Sequence, residues 1–305
     1  MSATDRTDMM LSCANCGKGE ENSNKLKKCS ACLSVKYCST ECQKAHRPQH
    51  KKECKNRAAE LYDEKLFKEV DPEDCPICML PLQCGDSLIE CATETFMACC
   101  GKIICNGCIY AMNMSDEGAT NICPFCREPN VDTDEEYMQR LLKLVDNGNA
   151  GGYFMLARGY ADGDPGLVQD QQKANELYLK AGELGYANGY YNLGNRYREG
   201  IGVKADTDKA QHYLELAAMG GRLEARHNLG TIEIVAGNHH RAVKHMIMAA
   251  KAGDKLSLHS IKEYFMHGFV TKDEYASTLR AHQKSLDEMK SEMRDKAQLA
   301  SDLWA

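Results

Sequence analysis

The chain has 305 residues, a formal charge of -6 and seventeen cysteines, every one of which lies between Cys13 and Cys126. That length exceeds one small module and predicts two or more domains. The opening run MSATDRTDMMLSC lacks the apolar core of a secretory signal, and no stretch approaches the roughly 18 apolar residues of a membrane span, so neither a disulfide scaffold nor a membrane protein is expected. The expectation is reduced thiols holding zinc in an intracellular protein, cytoplasmic or nuclear.

Most of the cysteines come as C-x2-C pairs, which place two thiolates on one tight turn within reach of a single tetrahedral zinc. Residues 13–54 read C-x2-C-x12-C-x2-C-x5-C-x3-C-x7-H-x3-C, with Cys13, Cys16, Cys29, Cys32, Cys38, Cys42, His50 and Cys54 as ligands. Eight ligands close two four-coordinate sites and leave no position for a catalytic water, so the metal is structural. About forty residues bury too little apolar surface to fold alone, and metal binding supplies most of their folding free energy. Residues 1–60 carry twelve Lys and Arg against seven Asp and Glu, a surplus read as the solvated face of this fold rather than as a nucleic-acid surface.

The ligand order, with the run YCSTECQKAHRPQHKKEC, closely resembles a MYND finger. The resemblance implies interleaved ligand pairs, with Cys13, Cys16, Cys38 and Cys42 on one ion and Cys29, Cys32, His50 and Cys54 on the other. It also implies docking of short proline-containing peptides, with Gln43 at the position of the glutamine usual after the sixth ligand. Arg47 stands where the family usually has a tryptophan, which removes an aromatic platform. His46 is expected to be a solvated helix residue. Residues 55–74 read as a helical connector ending at Pro72.

The second cysteine-rich segment, residues 75–127, places Cys75, Cys78, Cys99, Cys100, Cys105, Cys108, Cys123 and Cys126 in the strings DCPIC, CCGKIICNGC and CPFCREP. These resemble a RING domain, in which Cys75, Cys78, Cys105 and Cys108 would share one zinc. The usual histidine is missing: if Cys100 were the third cysteine, its place would be Lys102, and a protonated lysine does not ligate zinc. The spacing Cys100-x4-Cys105 matches an all-cysteine RING, with Cys99, Cys100, Cys123 and Cys126 at the second zinc. Adjacent ligands imply a strained turn, so Cys91 or Cys84 remains an alternative to Cys99. The resemblance implies an apolar docking patch at Ile77 and Pro124 for a ubiquitin-conjugating enzyme. It also implies that Arg127, after the last cysteine, hydrogen-bonds that enzyme and ubiquitin together.

After a helix with Thr133 or Asp134 as N-cap and Gly148 as stop, the sequence repeats with a period near 36. Leu156, Tyr160, Gly163, Asp170, Lys173, Ala174 and Ala181 recur as Leu193, Tyr197, Gly200, Asp206, Lys209, Ala210 and Ala217. Leu229, Gly230, Arg241, Ala242 and Gly253 continue the series with a loop about four residues shorter, and residues 254–283 read as a decayed fourth unit. The units resemble Sel-1-like repeats, which implies antiparallel helix pairs stacked into a solenoid. Tyr160 and Tyr197 are expected to fill the layer between neighbours. His239, His240 and His245 have no ligand-spaced partners and are expected to be solvated. Residues 284–305 read as a capping helix or a helix for a partner.

The predicted fold is mostly α: two small cross-brace zinc fingers (13–54 and 75–127) followed by an α-solenoid of repeats (149–283), with four zinc ions. The expected function is that of an adaptor recruiting a ubiquitin-conjugating enzyme and selecting a protein substrate or peptide. The alternative is a non-enzymatic interaction scaffold.

Overall fold

The computed structural model describes residues 12–20, 25–82, 94–115 and 121–302. Cys84 and Cys91 lie outside the described residues. The chain divides into two compact units, one ending at Lys68 and the other beginning at Glu69.

In the first unit a short antiparallel pair, β1 (Lys27–Lys28) and β2 (Lys36–Tyr37), precedes one long helix, α1 (Thr40–Leu66). The Ser39 side chain caps α1 by accepting from the N–H of Cys42. Pro48 sits inside α1, where it has no N–H to give the preceding turn, and the helix passes through it. The predicted connector helix at 55–74 is therefore the continuation of the finger's own helix, and it stops at Leu66, short of Pro72. The core of this unit is Cys13, Leu26, Cys29, Cys32, Val35 and Tyr37. Three of these six are thiols, so little apolar surface is available to fold the unit without metal.

The second unit opens with a cysteine-rich lobe. Strand β3 (Glu94–Met97) pairs antiparallel with β4 (Lys102–Cys105), with Glu94 opposite Cys105 and Met97 opposite Lys102. The chain then enters α2 (Asn106–Asn113). Ile104, Leu82, Cys75, Cys105 and Cys123 form the lobe's buried centre. A separate helix, α3 (Asp134–Asp146), is capped by the Thr133 hydroxyl, which accepts from the N–H of Glu136.

Helix pairs follow: α4 (Ala150–Asp162) with α5 (Gln171–Glu183), α6 (Ala187–Glu199) with α7 (Thr207–Met219), and α8 (Leu223–Val235) with α9 (His239–Lys251). Then come α10 (Lys255–Met266) and α11 (Lys272–Met289). Each helix packs on the next from α3 through α11. The recurrent residues have recurrent jobs. Asp170 and Asp206 are the N-caps of α5 and α7, accepting from the N–H groups of Lys173 and Lys209 respectively. Ala174, Ala181, Ala210 and Ala217 are fully buried, which allows close approach between helices. Tyr160 and Tyr197 are half-buried rather than buried, and each ring lies beneath a recurrent lysine: Lys173 at 4.1 Å and Lys209 at 5.0 Å from the centroid. Both tyrosines pack against a buried cluster that contains Tyr178, Phe154 and Leu193, in which Tyr178 is the buried tyrosine, with its ring against Phe154.

Two further expectations are corrected. His245 is buried completely rather than solvated, on the inner face of α9 beside Met246 and Ala249, while His240 is exposed and His239 half-buried against Phe269. The capping helix predicted at 284–305 is divided: α11 runs on to Met289 and packs on α9 and α10, whereas α12 (Glu292–Asp302) packs on α2 of the cysteine-rich lobe. That lobe also meets the first repeat, where a Cβ on Gly151 would come 2.7 Å from the Phe96 ring.

Candidate metal centres

Four groups of side chains bring their ligand atoms within 4.8 Å of one another: Cys13, Cys16, Cys38 and Cys42; Cys29, Cys32, His50 and Cys54; Cys75, Cys78, Cys105 and Cys108; and Cys99, Cys100, Cys123 and Cys126. Sulfurs placed about 2.3 Å from a common tetrahedral centre lie about 3.8 Å apart. The observed separations fit: 3.6 Å for Cys16 and Cys38, 3.8 Å for Cys29 and Cys54, 3.7 Å for Cys78 and Cys105, and 3.4 Å for Cys99 and Cys126. His50 turns Nε2 toward Cys32 Sγ at 3.2 Å. Soft thiolate donors in closed sets of four suit zinc, with no open coordination position.

Local backbone explains why the pairs present their sulfurs together. In all four C-x2-C turns of the loops, the residue after the second cysteine adopts a left-handed conformation: Gly17 (φ 71°), Leu33 (56°), Met79 (56°) and Arg127 (66°). Its N–H returns to the carbonyl of the first cysteine, at 2.9, 3.0, 2.9 and 3.0 Å. The first cysteine's own N–H bonds forward, as from Cys75 to Leu80 and from Cys123 to Glu128. The fifth pair is built differently, since Cys105 is the N-cap of α2 and Cys108 lies in its first turn.

The adjacent ligands do not need the strained turn that the sequence suggests. Cys99 and Cys100 occupy the β3–β4 hairpin, where the N–H groups of Cys100 and Gly101 both return to the carbonyl of Met97. The left-handed position of that turn falls on Gly101 (φ 68°), which has no Cβ to oppose it, and neither cysteine has a positive φ. Two consecutive sulfurs thus reach one centre at no conformational cost to themselves.

Clustered thiols resist sharing negative charge unless a cation joins them. Burial pushes Cys54 up to about 12, with the neighbouring thiols of Cys29 and Cys32 adding to the shift. Cys38 is pushed up to about 12 by its hydrogen bonds to Cys42 and Cys16. Cys13 goes the other way, to about 6: burial raises it, but backbone N–H groups around Cys38, Cys16 and Asn15 outweigh that. A dication at the centre reverses the repulsive contributions and deprotonates all four sulfurs.

Residues beside the ligands hold them in place. Ser34 Oγ donates to Cys32 Sγ at 3.1 Å. His46, expected to be solvated, is half-buried, 3.0 Å from the Tyr37 hydroxyl and stacked on the ligand ring of His50 at 5.6 Å. Gln43 sits half-buried in the first turn of α1, and Arg47 is exposed farther along it.

In the second cysteine-rich lobe Ile77 is 41% exposed and Pro124 half-buried. Arg127 is exposed while its backbone completes the Cys123 turn. Sequence reasoning missed two larger apolar groups beside them: Met79 (67% exposed) and Phe125 (45% exposed), the latter with Lys102 Nζ 6.0 Å above its ring. Their signal was available, since apolar residues in zinc turns too small to bury them must face solvent.

Residues 13–54 match the family model of the MYND finger, and residues 150–186, 187–221 and 225–254 match that of the Sel1 repeat. An uncharacterised protein of Neisseria meningitidis serogroup B is 33% identical over 30% of this chain and 19% of its own length. The chitin synthase regulator SKT5 of Saccharomyces cerevisiae is 28% identical over 32% of this chain and 14% of its own. Among solved structures, a Sel1 repeat protein from Oxalobacter formigenes aligns at 21% identity with a TM-score of 0.45, over 51% of this chain and 66% of that one. The chain thus spans less than a fifth of the length of these two curated relatives. What the matches carry is modular: residues 13–54 are a MYND finger, and residues 150–254 are three Sel1 repeats.

Proposed function

We propose that the protein is a zinc-stabilised protein-interaction adaptor in which the lobe at 75–127 acts as a RING-type ubiquitin ligase module. The adaptor character follows from the two matched modules, both of which are protein-interaction modules. In the ligase reading, the MYND finger, through Gln43 and its neighbours, and the repeats engage a protein substrate or peptide. The second lobe engages a ubiquitin-conjugating enzyme. Zinc-ligating thiols need a reducing compartment, so the protein would work inside the cell, in cytoplasm or nucleus.

The observation that carries the ligase reading is the placement of apolar side chains, exposed at Ile77, Met79 and Phe125 and half-buried at Pro124, in two metal turns of one lobe. Ile77 and Met79 flank Cys78, and Pro124 and Phe125 lie between Cys123 and Cys126, with Arg127 next. Turns already fixed by their metal ligands lose little backbone entropy on docking, so a small apolar patch on them binds usefully. The lobe performs no covalent step. It would raise the rate by confining the partner's thioester to near-attack geometry, while the nucleophile is a substrate lysine and the reactive cysteine belongs to the enzyme it recruits.

The test is ubiquitin transfer by the full chain across a panel of conjugating enzymes, with Ile77→Ala and Arg127→Ala beside the wild type. Ile77→Ala is expected to weaken recruitment by roughly 1–3 kcal/mol. Arg127→Ala is expected to slow thioester discharge more than binding, with zinc content unchanged in both. Absence of binding and discharge by the wild type across the panel overturns the ligase reading and leaves the non-enzymatic scaffold.

A further inference from the structure

Arg294 lies in the first turns of α12, yet its side chain belongs to the cysteine-rich lobe. Its Nη1 donates to the carbonyls of Pro81 at 2.6 Å and Met289 at 2.9 Å. Its Nη2 donates to the carbonyl of Leu80 at 3.2 Å and to Cys78 Sγ at 3.7 Å, a ligand 216 positions away in the chain. The approach is built into the backbones as well. Gly107, in the first turn of α2 between the ligands Cys105 and Cys108, is buried, and a Cβ there would come 2.8 Å from the backbone nitrogen of Arg294.

A zinc held by four thiolates carries a net charge of about -2, and part of that charge lies on sulfurs that solvent reaches poorly. A guanidinium offers several donors in a fixed fork. Here the fork does two things: it compensates the thiolate of Cys78, and it pins the carbonyls of Leu80 and Pro81, where the Cys75–Cys78 turn leaves the site. The other three ligand sets have no comparable guanidinium contact among the described residues.

We propose that Arg294 is a positioning residue for the Cys75, Cys78, Cys105 and Cys108 zinc site, and that α12 is thereby a structural part of the lobe whose metal it retains. Partners of ligating groups set metal retention, and removing one costs on the order of 10- to 100-fold in affinity. Because the same turn presents Ile77 and Met79, the C-terminal helix also fixes the pose of that exposed apolar pair. The inference rests on the metal sites and not on the ligase reading.

The experiment measures transfer of zinc from the full chain to a colorimetric chelator, for wild type, Arg294→Ala, Arg294→Lys and, on the same helix, Lys296→Ala. One of four zinc equivalents is expected to leave at least about tenfold faster from Arg294→Ala. Arg294→Lys, with charge but no fork, should fall between, and Lys296→Ala should match wild type. Substitution with cadmium identifies the site by 113Cd resonance: a single all-cysteine signal should move in Arg294→Ala, and it should be the signal abolished by Cys108→Ser. Unchanged release kinetics in both Arg294 variants, or displacement of a different cadmium signal, overturns the proposal. Should Arg294→Ala fail to fold, the Arg294→Lys kinetics and spectrum decide alone.

Discussion

Leu33, Met79 and Arg127 hold left-handed backbone at φ 56°, 56° and 66° without being glycine. Such conformations cost on the order of 1 kcal/mol each and persist where surrounding structure over-determines them. The metal-anchored turn that each of them closes, through its N–H to the carbonyl of Cys29, Cys75 or Cys123, is that structure. Leu33 is about half exposed, so little packing is lost by its removal, and Leu33→Gly should strengthen the first finger by about 0.5–1 kcal/mol in chemical denaturation at fixed zinc. A weaker finger would mean that the Leu33 side chain contributes more than its backbone costs. His245 gives a second residue-level expectation. Burial, followed by the charges of Arg226 and Arg241, holds it down to about 3. A histidine with a folded value below its free value of about 6.5 contributes stability that is present above pH 6.5 and lost as pH falls towards 3. The stability of wild type relative to His245→Gln should therefore decline by about 1.2 kcal/mol between pH 6 and 5. Urea unfolding of both chains across that range checks it, and acid effects on the zinc sites cancel in the comparison. A constant difference would contradict it.

At the scale of elements, the two tyrosine positions that look alike as large aromatics in a repeat separate by environment. Tyr178 is buried against Phe154, while Tyr197 lies half-buried, stacked on Tyr213 at 5.5 Å and beneath Lys209. Tyr178→Ala should cost about 3–5 kcal/mol and Tyr197→Ala about 1–2 kcal/mol in thermal or urea unfolding. Equal costs would contradict this assignment of the core. Why some of this was legible and some not follows from range. A C-x2-C turn is closed by its own backbone, so spacing alone announces it, and the N-cap aspartates at 170 and 206 and the small buried alanines repeat because each helix pair solves the same local problem. Polar type misleads where tertiary burial decides: His245 and His46 read as solvated, yet neighbouring elements enclose both. The helix through Pro48 was equally hidden, because Cys42, His50 and Cys54 anchor both sides of the proline and outweigh its propensity. Arg294 left no local signal, since its meaning lies in carbonyls and a sulfur more than 200 positions away.

For the molecule as a whole, the second unit joins metal-dependent and metal-independent parts. The repeats bury Ala210, Leu214, Ala217, Leu229 and Ala249 completely, and the array is held by stacking between neighbours. The cysteine-rich lobe has a small core in which thiols predominate. Chelation should therefore unfold residues 13–54 and 75–127 and release α12, while hydrogen exchange protection persists in α4 through α11. Loss of protection throughout the repeats on chelation would show that the lobe organises the array. The most direct test of the account is the metal content of the intact chain, purified without added metal and weighed by native mass spectrometry. Four zinc ions are expected for the wild type and three for Cys99→Ser, because the adjacent cysteines of the β3–β4 hairpin close the fourth site. A wild-type content of two or three, or no loss from Cys99→Ser, contradicts the four closed centres on which the rest depends.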